Sequence, residues 1–218
     1  PAADTDAKLP AKPNVLFIAG DDLRPELGCY GKTYIHSPNI DRLASEGRLF
    51  ARAYCQQAIC MASRASLLSG YRPDVGKIYH NGPLYKAVPN AMSVNRYFLT
   101  NGYETVTIGK IYHHESDELI GWSLPAIHPE GAWVGRGYVD EASKAMVNEY
   151  ERANPHAKRQ GLGPAFEHPD VPDDAYIDGH IAKDAIVQLN RLKDKPFFLA
   201  VGFYKPHLPF CAPKKYWD

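Results

Sequence analysis

Cys60 and Arg64 lie four residues apart in the segment QQAICMASRASLLSG, among small side chains. The residues SRASLLSG predict a short helix that ends at Gly70, which places Cys60 near the amino terminus of that helix. The helix dipole and the positive charge of Arg64 would both stabilise a negative charge there. The pair therefore suits a thiolate nucleophile or an anion-binding site, although a buried structural cysteine beside a surface arginine would have the same sequence.

Two adjacent acids, Asp21 and Asp22, directly follow the apolar run NVLFIAG. The run is short and rich in large apolar residues, which predicts a buried strand. Two carboxylates at the end of a strand would bind a hard divalent cation such as Ca²⁺ or Mg²⁺, because these ions prefer oxygen ligands. A helix cap next to a solvated acid would account for the same two residues.

Basic and imidazole side chains follow two further apolar runs. Lys110 and His113 follow YETVTIG, and Lys205 and His207 follow PFFLAVGF. A single lysine or histidine after a strand is more often solvated than catalytic. Together with the acids and Cys60, however, these groups would supply cations for an oxyanion and imidazoles for proton transfer.

The elements that must position these groups alternate along the chain. The apolar segments NVLFIAG, YETVTIGK and PFFLAVGFYKPH predict strands, and helical patterns lie between them. This alternation, with continuously apolar strands, predicts an α/β fold whose parallel sheet is covered on both faces. The candidate residues all come at the carboxyl ends of strands, which is the edge of an open α/β sheet where ligands bind.

The predicted helices have recognisable ends. In SPNIDRLASEG, Ser37 is the predicted cap, Pro38 the first helical residue and Gly47 the stop; NAMSVNRYFLTNG predicts another helix. The segment DDAYIDGHIAKDAIVQLNRLKDK predicts a long amphipathic helix. Its predicted apolar face consists of Ile181, Ala185, Ile186 and Leu189. Residues 115–175 are rich in Pro, Gly and His, and they predict a long irregular functional loop.

Composition limits the class of protein. The chain has 218 residues and a formal net charge of +0, so neither a disordered chain nor a nucleic-acid-binding surface is expected. No apolar run approaches the length of a membrane span. The cysteines at 29, 55, 60 and 211 are too few and too scattered for a disulfide scaffold or a zinc site. We expect an N-terminal tail over residues 1–13 and one domain over residues 14–218.

Four segments resemble type I sulfatases in their order and spacing. They are NVLFIAGDDLRPELGCYG, SPNIDRLASEGRLFARAYCQQAICMASRASLLSGYRPD, IGKIYHH and PFFLAVGFYKPHLPF. The signature of that family is Cys-x-Pro-x-Arg or, less often, Cys-x-Ala-x-Arg, and Cys60-Met61-Ala62-Ser63-Arg64 has the second form. The resemblance implies a three-layer α/β/α sandwich of the alkaline-phosphatase-like type, with its site at the carboxyl edge of the sheet.

The resemblance also implies an unusual nucleophile. A separate formylglycine-generating enzyme would oxidise Cys60 to formylglycine, and one hydroxyl of the hydrated aldehyde would attack sulfur. Asp21 and Asp22 would bind the cation, usually Ca²⁺ in this family, together with the oxygen of residue 60. This is metal-assisted nucleophilic catalysis.

The remaining candidates receive charge-stabilising and proton-transfer roles from the resemblance. Arg64 and Lys110 would hold the oxygens of formylglycine and sulfate. His207 would protonate the departing alcohol, and His113 would take the proton of the second hydroxyl so that sulfate leaves. Lys205 would be an additional substrate contact.

The implied reaction is removal of sulfate from a sugar, such as an iduronate-2-sulfate-like unit of a sulfated polysaccharide. The polyanion would be bound by a local patch, for example near Lys158-Arg159 or Lys214-Lys215, since the net charge is zero. An enzyme with such a substrate would be exported, as a periplasmic or secreted protein, or lysosomal.

Three further expectations accompany this reaction. The family's Asp followed by His or Asn, and a further sulfate-binding lysine, would come later than residue 218. We therefore expect residues 14–218 to need a remaining C-terminal part of the domain and to be inactive alone. A phosphonate or phosphate ester hydrolase with the same nucleophile, and a non-catalytic protein that binds sulfated glycans, are the alternative functions.

Overall fold

The computed structural model describes residues 11–79, 84–113, 120–129, 137–156 and 163–217. Within these ranges the strands are β1 (Val15–Gly20), β2 (Glu104–Gly109), β3 (Phe166–Glu167), β4 (Phe197–Phe203) and β5 (Phe210–Cys211). The α-helices are α1 (Pro38–Glu46), α2 (Cys60–Ser69), α3 (Pro73–Gly76), α4 (Leu84–Ala87), α5 (Val94–Thr100), α6 (Glu141–Ala153) and α7 (Ile177–Leu192). Short 3₁₀ helices lie at Gly28–Tyr30, Asp173–Ala175 and Lys214–Tyr216.

The main sheet of the described chain has the strand order β1-β4-β2, and both pairs are parallel. Ala200 of the central strand pairs with Phe17 on one side and with Thr107 on the other. The predicted parallel α/β sheet is therefore confirmed. Because the strands are parallel, their carboxyl ends lie along one edge, and the loop after β4 lies between those after β1 and β2.

Helix α7 covers one face of β4 and β2. Its buried residues Ile181 and Leu192 pack against Ile108, Leu199 and Val201. The predicted apolar face of this helix is correct for Ala185 and Leu189, which pack on the same core.

The prediction is wrong for Ile186, whose exposed fraction is 59%. The physical reason is the helical period. At 3.6 residues per turn, a residue five positions from Ile181 is rotated from it by about 140°.

Helices α2 and α5 lie on the opposite face of the sheet, which completes three layers. Leu68 of α2 packs with Phe198 and Ala200, and the ring of Phe98 from α5 stacks on that of Phe198 with centroids 4.6 Å apart. Strand β1 departs from its prediction as a fully buried strand. Leu16 and Ile18 are 44% and 56% exposed, because α7 packs on β4 and β2 and leaves this face of β1 uncovered in the described chain.

Part of the segment predicted to be an irregular loop, residues 115–175, is regular. Helix α6 begins after Asp140, whose carboxylate accepts a hydrogen bond from the amide of Ser143, and its Val147 is buried. The surrounding Pro and Gly residues favour a loop, whereas the acid cap at Asp140 and the helix-forming residues after it favour a helix. Strand β3, from the same segment, pairs in parallel with β5, with Glu167 opposite Cys211. Residues 114–119, 130–136 and 157–162, including Lys158-Arg159, lie outside the described residues.

Helix α1 has the predicted bounds, from Pro38 to Glu46 with Gly47 after it. Ser37 occupies the predicted N-cap position, but its side chain makes no capping bond to α1, since its hydroxyl accepts from the amide of Gly28 and donates to Asp41 instead. Among the residues that the structure describes, no helix combines the length and apolarity that crossing a bilayer requires. The predicted tail, residues 1–13, falls mostly outside the described chain, and its boundary stays a prediction.

Candidate active site

The candidate residues converge at the carboxyl edge of the main sheet. Asp21 comes directly after β1, Lys110 directly after β2, and His207 lies in the loop between β4 and β5. Cys60 is the first residue of α2, so it reaches this edge from the helix layer. Four separate elements therefore contribute side chains to one region.

Asp21 is the buried centre of this region, with an exposed fraction of 2%. Its Oδ1 atom accepts hydrogen bonds from Nη2 of Arg64 at 2.8 Å and from Nε of Arg64 at 3.2 Å. Its Oδ2 atom accepts a hydrogen bond from Nζ of Lys110. Burial acts to raise the pKa of Asp21, but the Lys110 hydrogen bond and the two positive charges outweigh it and hold the pKa below its usual range.

Arg64 connects three elements through its guanidinium. Besides Asp21, it donates through Nη1 to the carbonyl oxygens of Lys110 and of Ile111, the latter at 2.9 Å. These contacts use four of the five guanidinium N–H donors. Arg64 thereby fixes the chain after β2 against α2, and its position one turn from Cys60 explains the four-residue spacing of the motif.

Cys60 lies at the amino terminus of α2, and its amide precedes the first hydrogen bond inside the helix, from Ser63 to Ile59. Its Sγ atom lies 3.2 Å from Nδ1 of His113, and the thiol is half-buried. The first-turn amides of a helix lack partners within it and stabilise an anion. Residue 60 therefore faces both a helix amino terminus and an imidazole that can exchange a proton with it.

His207 and Asp22 form the more exposed side of the site. Nε2 of His207 lies 3.8 Å from Oδ2 of Asp22, and Nδ1 of His207 donates to the carbonyl of Leu208 at 2.6 Å, since a carbonyl oxygen can only accept. That bond places the ring proton on Nδ1 and directs Nε2 towards the acids. Asp22 itself has a φ of 59°, a left-handed conformation that turns its side chain away from the strand direction.

A divalent cation fits the donor set of this edge. Ligand atoms of Asp21, Asp22 and His207 lie within 4.8 Å of one another. Within the described part of the chain, these three side chains form a cluster close enough to hold one metal ion. Two carboxylates suit Ca²⁺ or Mg²⁺, and Cys60 does not belong to this group.

Lys205 occupies a different position from the other predicted cations. Its Nζ atom donates to the carbonyl oxygen of Pro209 at 2.6 Å and to that of His207 at 3.3 Å. Burial lowers the pKa of Lys205. Lys110, by comparison, donates directly to Asp21.

Two residues of the site were missed in the sequence. Gly202 lies so close to the backbone of Lys110 that a Cβ atom added to it would be 1.9 Å from the Lys110 carbonyl oxygen. Only glycine fits at this position. A glycine inside the apolar run FFLAVGF was the available signal. Asp178, in the first turn of α7, accepts from the amides of Tyr204 and Lys205 at 2.8 and 2.9 Å, and an acid at a helix start resembles an ordinary cap.

A protein-family model described as Sulfatase matches residues 13–218. The chain belongs to the sulfatase family. This sulfatase is 38% identical over 213 residues to iduronate 2-sulfatase of Homo sapiens, with 93% of the chain and 36% of that relative covered. It is 32% identical over 222 residues to a sulfatase of Formosa agariphila, with 95% of the chain and 41% of that relative covered. The predicted resemblance to sulfatases is confirmed.

The solved structure of a phosphonate monoester hydrolase from Agrobacterium radiobacter superposes on this sulfatase with a TM-score of 0.66. The two chains are 24% identical, and the match covers 93% of this sulfatase and 43% of the hydrolase. At that identity the match supports the fold, and it confirms the predicted three-layer α/β architecture. The sulfatase spans 36% of the length of its human relative.

Proposed function

We propose that this protein hydrolyses sulfate esters, with residue 60 as the nucleophile after its conversion to formylglycine. The observation that supports this most directly is the placement of the Cys60-x-Ala62-x-Arg64 signature. Cys60 lies 3.2 Å from the His113 imidazole, while Arg64 is bonded to the buried acid Asp21. Formylglycine, made by a formylglycine-generating enzyme, supplies an oxygen nucleophile and a second hydroxyl that permits sulfate to leave.

The charges of the site favour an anionic substrate once a cation is bound. Asp21 and Asp22 carry two negative charges, and Arg64 and Lys110 carry two positive charges, so their sum is zero. A divalent ion held by Asp21, Asp22 and the oxygen of residue 60 would leave a net charge of two positive units. We assign Ca²⁺ to this position, with Mg²⁺ as the alternative, and the ion would act as a Lewis acid towards the sulfate.

Proton transfers are assigned to the two histidines. Nδ1 of His207 donates to the Leu208 carbonyl, so the ring would have to carry a second proton, on Nε2, and that proton would pass to the departing alcohol. His113, in contact with residue 60, would remove the proton that allows sulfate to leave. Arg64 and Lys110 would stabilise charge on the sulfate and on residue 60 from the buried side. The sequence also predicts a sulfate contact for Lys205.

The proposed substrate is a sulfated sugar, with an iduronate-2-sulfate-like unit of a polysaccharide as the specific candidate. Its support is the 38% identity to a protein named iduronate 2-sulfatase. Lys214 and Lys215 are exposed, and Lys215 pairs with Asp173 at 2.9 Å, so Lys214 is the better contact for a polyanion. A protein with this substrate would be exported or lysosomal.

The described ligands do not fill the coordination shell of calcium. Asp21, Asp22 and the oxygen of residue 60 would supply three side chains, whereas Ca²⁺ takes about 6–8 ligands. We therefore propose that further residues of a longer sulfatase domain complete the cation site. The 218-residue chain alone would then be inactive.

Two measurements test the proposal. The first is the mass of the peptide spanning Cys60, taken from the native host, where aldehyde in place of thiol establishes formylglycine. The second compares turnover of a sulfate ester and a phosphate ester of the same aryl alcohol, before and after chelation of divalent ions.

We expect faster, chelator-sensitive turnover of the sulfate by the complete domain. Preference for the phosphate or phosphonate ester would favour the alternative hydrolase. An unmodified Cys60, with metal-independent binding of sulfated glycans and no turnover, would favour a non-catalytic binding protein.

A further inference from the structure

The loop that carries His207 is held at both ends and in its middle. It begins after β4 at Tyr204 and ends where β5 begins at Phe210. At its far end, the amide of Phe210 donates to the carbonyl of Ala165 at 2.8 Å, and β5 then pairs with β3. The loop is therefore connected to a second sheet as well as to the main one.

The beginning of the loop is fixed by Asp178 of α7. Its two carboxylate oxygens each accept one backbone amide, from Tyr204 at 2.8 Å and from Lys205 at 2.9 Å. Because Ile181, one turn further along α7, packs in the core, the Asp178 carboxylate has a rigid base.

The middle of the loop is fixed by Lys205. The side chain of Lys205 turns back along its own loop, and its ammonium donates to the carbonyl of Pro209 at 2.6 Å and to that of His207 itself at 3.3 Å. Hydrogen bonds from a charged donor are stronger than those between neutral groups. Two such bonds across a six-residue loop restrict the backbone from which the His207 imidazole extends.

We infer that Lys205 is a positioning residue for His207, with Asp178 as its support, and that it does not contact sulfate. The inference rests on the proposed role of His207 as proton donor to the departing alcohol. Its functional reason is geometric, since a displacement of about 1 Å of a catalytic group can reduce a rate about a hundredfold. The ammonium of Lys205 is directed into its own loop, where it donates to the His207 and Pro209 carbonyls. In this position it does not serve as an anion contact.

The test uses Lys205→Met, which keeps the length of the side chain and removes the ammonium. Lys205 borders a cavity of about 300 Å³, so the methionine has room without displacing the core. Lys144→Met is the matched control, because Lys144 lies on the surface of α6 and pairs with Glu141. Both variants are compared by NMR of the histidine rings and by amide hydrogen exchange.

We expect Lys205→Met to shift and broaden the ring signals of His207 and to reduce the amide protection of the non-proline residues in 204–211 at least tenfold. Protection of β1, β2 and β4 should stay within about twofold, and Lys144→Met should change neither quantity. Unchanged His207 signals together with unchanged loop protection would overturn the inference. Neither measurement needs turnover, so the result is independent of the proposed hydrolysis of sulfate esters.

A second measurement applies to the unaltered protein, in case Lys205→Met fails to fold. Titration with inorganic sulfate is followed at the side-chain nitrogen of Lys205, with Lys110 observed in the same spectra. We expect the Lys205 signal to stay in place up to sulfate concentrations that saturate the shift of Lys110. A saturable shift of Lys205 with the same midpoint would show a sulfate contact and overturn the inference.

In the complete domain, esters with different leaving groups distinguish a positioning role of Lys205 from a general loss of structure. Lys205→Met should slow turnover of alkyl sulfates, whose alcohols need protonation, at least tenfold more than turnover of aryl sulfates with acidic phenols. His207→Ala should show the same preference. Equal slowing of both ester classes by Lys205→Met would contradict a role exerted through His207.

Discussion

The Sγ atom of Cys60 lies 3.2 Å from Nδ1 of His113, although 53 residues separate them in the chain. The contact exists because Cys60 begins α2 and His113 follows β2, and Arg64 bonds the two elements together through the Lys110 and Ile111 carbonyls. Arg64 thus helps to set the relative position of Cys60 and His113, the proposed nucleophile and proton acceptor.

This contact leads to the first prediction, which concerns His113→Ala. The variant should separate the first half of the proposed reaction, release of the alcohol, from the second half, release of sulfate. In the complete, converted enzyme, alcohol release should continue as a single burst, while steady-state turnover should fall by about 10²–10⁴-fold, the usual contribution of a positioned acid or base. Stopped-flow measurement of an aryl alcohol, with a separate assay of free sulfate, checks this. Loss of the burst itself would assign His113 to the first half.

Lys110→Met should destabilise the protein strongly. It removes one of the two cations that neutralise the buried Asp21, and breaking a buried ion pair from one side costs about 3–5 kcal/mol. Because Arg64 remains beside Asp21, we expect about 3 kcal/mol, measured by urea unfolding. The exposed pair removed in Lys144→Met should cost less than about 1 kcal/mol. A comparable loss in both variants would contradict the buried network.

The same network predicts a loss of stability in acid. Burial alone would raise the pKa of Asp21, but Lys110 and Arg64 lower it, so the folded state holds the ionised carboxylate more strongly than the unfolded state does. The resulting stabilisation is complete above the pKa of an unfolded aspartate, about 3.9, and is lost as pH falls through the lower folded-state pKa.

The measurement is the free energy of unfolding of the wild type and of Asp21→Asn, from about pH 6 to about pH 2, in the presence of a chelator. Their difference should shrink towards the acid end. Glu149→Gln, at an exposed position of α6, serves as the control and should show no such convergence. A constant difference for Asp21→Asn across the range would argue against the lowered pKa.

Gly202→Ala should disturb the site through the backbone. The added Cβ atom would lie 1.9 Å from the carbonyl oxygen of Lys110, which is an acceptor for Arg64. We expect a loss of at least the roughly 1–3 kcal/mol of an overpacked core, together with reduced turnover. In the control, Gly47→Ala, the nearest atom to the new Cβ is 3.1 Å away, and the loss should be smaller. Thermal unfolding of the two variants compares them directly.

The cysteines should differ in reactivity. Cys55 is exposed, whereas Cys211 is 5% exposed and burial raises its pKa to about 11. The thiolate is the reactive form, so at about pH 8 only about one Cys211 side chain in a thousand is ionised. Iodoacetamide labelling followed by peptide mass analysis should modify Cys55 at least tenfold faster. Equal labelling rates of Cys55 and Cys211 are expected only in denaturant. Equal rates in the folded protein would contradict the buried position of Cys211.

Local sequence was sufficient for the elements that begin and end on strong signals. Helix α1 lies between Pro38 and Gly47 as predicted, and the apolar runs before Asp21, Lys110 and His207 form the three parallel strands. These predictions succeed because proline, glycine and apolar periodicity act within a few residues. The prediction is wrong for Ile186 because an apolar stretch does not determine which helix face is buried. It is wrong for α6 because a loop-like composition around a segment does not exclude a helix within it.

The residue types of the site, their positions at strand and helix ends, and the family of the chain all follow from the amino-acid sequence. The partners of each group depend on the three-dimensional arrangement: Asp21 with Arg64 and Lys110, Cys60 with His113, and Lys205 with its own loop. The partners of Asp21 and Cys60 are distant in the chain, because strand order and the packing of α2 on the sheet bring them together. Those of Lys205 are near in the chain, and the way its loop folds back selects them.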